Sequence, residues 1–215
     1  MQADSSLVNY VYESDSYGGS HTPNIGVIHD VECPLAPGYA RSLIGPNWFG
    51  GPASTSTHYI VDPVDICQGV PENRIAWHCG TGNPRTIAIE QSGYARFNRG
   101  EWTTANGMKQ HNLVAKLMAD INFRRPLIRL KWLTDGELRT AWNNTGSWGG
   151  WATHNQMRRV IGGTTHYDPF NNQDTDQAYP YEMVMALAVK YRGGTIINPP
   201  TGAHWIDTHL LRRSA

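Results

Sequence analysis

Two hydrophobic periods alternate along this chain and divide it into strands and helices. The run IGVIHDV, residues 25–31, is β-branched and nearly continuous, which predicts a buried strand. Its alternation puts Val27, His29 and Val31 on one face. A second strand is expected at THYIVD, residues 57–62. A turn at Asp62-Pro63 then leads into ICQGV, so the two segments read as a hairpin. A third strand, TIAIEQS at 86–92, carries Ile87 and Ile89 on one face and Ala88 and Glu90 on the other. Over 103–125 the period changes. Met108, Leu113, Val114, Leu117, Met118 and Ile121 recur at helical spacing and predict an amphipathic helix that stops before Pro126. YARSLI and LTDGELRTAW each predict a short helix, the latter capped by Thr134 or Asp135. Met183, Val184, Leu187, Ala188 and Tyr191 form one face of a last helix, closed by Gly193-Gly194.

The flanks lack such periods. Residues 1–24 are polar and rich in Ser, Asp and Gly, and are expected to be an irregular lead-in; residues 195–215 contain Pro-Pro and a basic end and read as a tail or linker. That leaves one domain over 25–194, without internal repeats.

Composition narrows the function class. Charged residues make up 17% and the formal net charge is zero, so nothing points to nucleic acid or another polyanion. Glycine (22), tryptophan (8) and histidine (9) are plentiful, which fits a loop-rich protein with an aromatic-lined surface. No apolar run approaches the ~20 residues of a membrane span, and MQADSSLVNY lacks the regions of a signal peptide. The three cysteines, Cys33, Cys67 and Cys79, are odd in number and show no CxxC spacing, so free thiols are expected. Cys33, four residues after His29, is held in reserve as a ligand.

The stretch GWATHNQMRRVIGGTTHYDP concentrates the chemistry: His154, His166 and Asp168 lie within it. Imidazole and carboxylate are ligands zinc accepts, and a catalytic zinc takes three protein ligands plus an open position. One short stretch does not close such a site, so a distant strand must contribute. His29 is a candidate, although a histidine among apolar neighbours is ordinarily a satisfied core residue. Spacing leaves His166 and Asp168 as alternatives. Glu90 on so apolar a strand is either paired in a salt bridge or a general base with a raised pKa.

Taken together, IGVIHDVE, STSTHYIVD, VPENRIAWHCG, TIAIEQSG and GWATH…GTTHYDP resemble the zinc-dependent N-acetylmuramoyl-L-alanine amidases, the phage-lysozyme and peptidoglycan-recognition fold family that includes phage endolysins. The match runs from about Ile25 to Tyr191 in the family's order. The resemblance implies an α/β fold with a central mixed sheet flanked by helices and a groove holding one catalytic Zn²⁺. It places the metal ligands on His29, His154 and Asp168. It gives Glu90 the role of acid–base on the water, and His166 that of hydrogen-bond donor to the oxyanion, where many members have Lys. Trp77, His78, Asn83 and His58 are expected as substrate contacts. Phe170 stands after Asp168-Pro169, where the family often has Gly. The substrate implied is the muramyl–L-alanine amide of bacterial peptidoglycan, cut by a monomer without membrane insertion. Made in the cytoplasm without a signal peptide, it would reach the wall by holin release. The alternatives are a non-catalytic peptidoglycan-recognition module, an intracellular muropeptide-recycling amidase, and a regulator that binds a partner enzyme.

Overall fold

A computed structural model describes residues 1–46, 48–49, 55–144, 146–169 and 178–193. Gly194, Phe170 and the expected tail at 195–215 lie outside those residues.

The strands are β1 (Tyr10–Val11), β2 (Tyr17–Ser20), β3 (Ile25–Ile28), β4 (Tyr59–Val61), β5 (Ile66–Gln68), β6 (Arg74–Ala76), β7 (Thr86–Gln91), β8 (Ile128–Trp132) and β9 (Gly149–Thr153). The helices are α1 (Tyr39–Leu43), α2 (Arg99–Trp102), α3 (Ala105–Arg124), α4 (Asp135–Asn143), α5 (His154–Val160) and α6 (Tyr181–Tyr191). Seven strands form one mixed sheet in the order β1-β5-β4-β7-β3-β9-β8, and β2 pairs with β6 in a separate ribbon. β3 lies parallel between β7 and β9, while β4 and β5 form the expected antiparallel hairpin.

Every residue of β3, β7 and β9 is buried, as expected for parallel strands covered on both faces. Ile28, Ile87 and Ile89 face a core built with Val114, Leu117 and Met118 of α3 and Val184 and Ala188 of α6. Ile25 and Val27 face the other way, against Leu138 of α4 and Met157 and Val160 of α5. This alternation positions the site: His29 continues the face of Val27, so it emerges on the α5 side of the sheet.

Local signals explain the helix boundaries. Thr134 caps α4, its side chain accepting from the Glu137 amide while Glu137 reaches back to the Thr134 amide. α3 begins at the Thr104 cap and ends at Arg124, ahead of Pro126.

The lead-in expectation needs correction, because residues 1–24 are woven into the fold. β1 adds a parallel edge strand beside β5, and β2 builds the ribbon with β6. Asp4 anchors this segment further, accepting hydrogen bonds from Gln68 Nε2 and the Glu72 amide. Backbone pairing of this kind needs no apolar side chains, which is why hydropathy misses it. The three cysteines are free and buried.

Candidate metal centre and groove

Two neighbouring parallel strands bring the reactive side chains together. His29 follows β3, and its backbone stays in the ladder: its amide donates to Ile89 O at 2.9 Å, and its carbonyl accepts from the Gln91 amide. Glu90 sits on β7 immediately beside it. His154 is the first residue of α5, placed there because β9 runs directly into a helix capped by the Thr153 hydroxyl. Asp168 returns to the same spot, its carbonyl accepting from the Asn155 amide at 3.0 Å.

His29, His154 and Asp168 are all buried, and their candidate ligand atoms lie within 4.8 Å of one another. His29 Nδ1 is 3.1 Å from Asp168 Oδ2, and His154 Nδ1 is 3.0 Å from Asp168 Oδ1. His154 Nδ1 nevertheless has no hydrogen-bond partner among the described residues. An orphaned buried nitrogen, a second imidazole nitrogen and a carboxylate converging on one point make a donor set that suits zinc. Burial and the neighbouring His154 push His29 down to about 4, so its imidazole is neutral near pH 7 and can offer a lone pair. Burial works against ionisation of Asp168, but the two imidazoles beside it, His154 and His29, prevail and hold it below the usual carboxylate range.

Glu90 Oε1 lies 3.8 Å from His29 Nδ1, and the side chain is 5% exposed. Burial first, and then the charge of Asp168, push its carboxyl well above the ordinary glutamate range. Asp30, which sequence reasoning passed over, is also buried, and its Oδ2 has no partner among the described residues. His166 is different in kind. Its side chain is 70% exposed, its ring stacks on His154 with centroids 5.1 Å apart, and its Nδ1 is 3.8 Å from Asp168 Oδ1.

Above this cluster lies an open groove of about 780 Å³, lined by Trp77, His78, Asn83, His154, Thr164 and His166 among others. One wall is the 3-10 turn Gly80–Arg85 and the other the loop around Gly163. They meet closely: a Cβ on Gly80 (φ +57°) would stand 2.1 Å from Gly163 O. His154 reaches the groove floor, whereas His29, Asp168 and Glu90 sit behind it.

The expected substrate contacts divide. Trp77 is 39% exposed and lines the groove. Asn83 also lines it, but its Oδ1 is committed to the His78 and Cys79 amides. His78 lines the groove while both ring nitrogens point inward, to His29 and Thr86. His58 needs correction: it is fully buried, its Nδ1 accepting from the Ala88 amide and its Nε2 donating to Arg74 O, so it has no route to a groove ligand. Cys33 is corrected likewise. It lies outside the ligand cluster, pairs its backbone with Gly93, and is pushed up to about 11 by burial.

A sequence model of the family described as N-acetylmuramoyl-L-alanine amidase matches residues 19–171. The chain is 41% identical over 58 residues to the N-acetylmuramoyl-L-alanine amidase CwlA of Bacillus subtilis (strain 168), a match covering 23% of this chain and 21% of CwlA. It therefore spans only about a fifth of that relative's length. Among solved structures, the Staphylococcus aureus hydrolase AmiA in complex with its ligand superposes with TM-score 0.60 at 19% identity, over 85% of this chain and 82% of AmiA. The catalytic domain of XlyA superposes with TM-score 0.51 at 18% identity, over 83% and 97%. At these identities the superpositions establish the shared mixed α/β fold. Among the described residues, no helix is long and apolar enough to cross a membrane.

Proposed function

This chain belongs to the N-acetylmuramoyl-L-alanine amidase family, and from that premise we propose that it is a zinc hydrolase of bacterial peptidoglycan. The bond cut is the amide joining the lactyl group of N-acetylmuramic acid to L-alanine of the stem peptide. The single observation that carries this reading is the convergence of His29, His154 and Asp168 beneath a groove, with a buried Glu90 beside them.

In this proposal His29 and His154 hold one zinc through Nδ1 and Asp168 holds it through its carboxylate. When bound at such a site, zinc supplies Lewis-acid chemistry, acidifying water and polarising a carbonyl. Glu90 acts as general base and then general acid: it takes a proton from the attacking water and passes it to the departing amine of L-alanine. Its raised pKa suits that double task, because a carboxyl poised nearer neutrality both accepts and releases a proton. His166, exposed on the groove side and stacked on His154, donates a hydrogen bond to the oxygen that gains charge. Trp77 offers an apolar ring to the substrate along the groove wall.

The wider setting proposed is lysis of the cell wall by an endolysin-type monomer released by a holin. A non-catalytic recognition module is the weaker reading, because such a module has no need of three convergent ligands and a protonatable carboxyl. The test is digestion of purified peptidoglycan with and without a chelator, followed by mass spectrometry of the products. New L-alanine amino termini that depend on metal are expected. New reducing sugar ends, or no release by zinc-loaded protein, would overturn the proposal.

A further inference from the structure

Resting on the zinc reading above, we infer that His78 is a positioning residue that fixes the tautomer of His29 through a one-way hydrogen-bond chain. The chain starts at a group whose role is not negotiable. Gly82 O, a carbonyl, can only accept, and it does so from the Thr86 hydroxyl at 3.0 Å. With its proton committed, Thr86 Oγ1 accepts from His78 Nε2–H at 2.8 Å. His78 Nδ1 is then a bare lone pair, and at 2.9 Å it accepts from His29 Nε2–H. A neutral His29 protonated on Nε2 keeps a lone pair on Nδ1, the atom 3.1 Å from Asp168 Oδ2, so the chain selects the metal-binding tautomer over the one that would donate from Nδ1 to Asp168. Three hydrogen bonds thus transmit one carbonyl's polarity across the groove wall to His29 Nδ1. Metal-bound imidazoles are commonly oriented through their other nitrogen in this way.

The site offers His154 a similar partner, with Nε2 2.8 Å from Thr164 Oγ1. The His29 arm is the more strongly constrained, because Thr86 is fully buried and the His29 and His78 rings meet edge to face at 84°. His78 therefore touches the groove with carbon atoms and spends both nitrogens on the metal side.

Substitution can separate this role from simple packing. Asparagine places its Oδ1 near the position of histidine Nδ1, so His78→Asn keeps an acceptor for His29. Glutamine places its amide near Nε2, so His78→Gln keeps the Thr86 contact and leaves His29 unpaired. Zinc affinity would be measured by competition with a chromophoric chelator, alongside the visible spectrum of the cobalt(II)-substituted protein and the melting temperature. We expect His78→Asn to bind zinc within about threefold of the parent and to retain its cobalt spectrum, while His78→Gln loses about 10- to 100-fold in affinity and changes the spectrum. Thr86→Val, an isosteric change, should weaken zinc binding without unfolding the chain, and it decides the matter if His78→Gln fails to fold. Equal losses in the Asn and Gln variants, or an unchanged affinity in Thr86→Val, would overturn the inference while the parent still binds one zinc. A parent that binds no zinc would instead overturn the proposed metal centre, and this inference with it.

Discussion

Gly80→Ala tests how far the groove walls govern the metal ligands. Gly80 sits at φ +57°, where a Cβ is strained by about 1–2 kcal/mol. The added carbon would also stand 2.1 Å from Gly163 O, a backbone atom, against the 3.0 Å that real Cβ contacts respect. The two walls must then separate by about 0.9 Å. Forced backbone shifts of this sort cost about 1–3 kcal/mol. The expected loss is therefore about 2–5 kcal/mol in total. Gly162→Ala is the internal control. Its φ is +81° but nothing lies within 4 Å of the new carbon, so only the conformational part, about 1–2 kcal/mol, should appear. The displaced wall also carries Thr164, which bonds His154 Nε2 at 2.8 Å. Zinc affinity should consequently fall about tenfold in Gly80→Ala and stay near the parent value in Gly162→Ala. Urea denaturation gives the first quantity, and chelator competition the second. If the two variants matched in both, the contact between the walls would be irrelevant to the site and the reasoning would fail.

Glu90→Gln should reduce kcat by about 10²- to 10⁴-fold with zinc stoichiometry unchanged; retained turnover would move the acid–base role to another group, such as the buried Asp30. Zinc at 1,000 times its Kd should stabilise the parent by about 4 kcal/mol in thermal melts, and His154→Ala should show no such shift; a shift that persists would place the metal elsewhere. Acid should destabilise the apo protein through His111, fully buried and pushed down to about 4 by burial, against the opposing pull of its bond to Trp102 O. A histidine depressed in the folded state contributes stability above its unfolded pKa of 6.5. That contribution, on the order of 3 kcal/mol, is lost as pH falls from 6.5 toward 4. His111→Gln keeps a donor for Trp102 O and should flatten that part of the pH–stability curve, whereas superimposable curves would exclude the assignment.

Legibility in the sequence followed the physics of each element. β3, β7 and α3 announce themselves because they bury long apolar faces, and period is the record of burial. β9, GGWAT, carries no such record. Its two glycines are there because neighbouring backbone approaches closely, with Asn24 O about 2.0 Å from where a Gly149 Cβ would sit. β8, IRLKW, does alternate, with Ile128 buried and Arg129 and Lys131 exposed, so a strand was readable there. The donor set at His29, His154 and Asp168 could be named from motif order, yet spacing alone left His166 and Asp168 undecided. His58 and His78 look alike in the sequence, and only their partners distinguish them. Two backbone groups satisfy His58, whereas the imidazole of His29 and the hydroxyl of Thr86 engage His78. Contacts spanning 49 residues leave no trace in a local pattern.

The parallel pairing of β3 with β9 sets a timetable for the nascent chain. His29 and Asp168 are 139 residues apart, and a ribosome adding about 5–20 residues per second needs roughly 7–28 s to cover that interval. Throughout it, the carboxylate that completes the donor set does not yet exist. Zinc held by these three residues would arrive after translation has passed Asp168, and a ribosome stalled earlier would carry a chain with no complete centre. A metal centre held by these residues would thereby wait for synthesis of the whole sheet, whose last strand, β9, ends at Thr153.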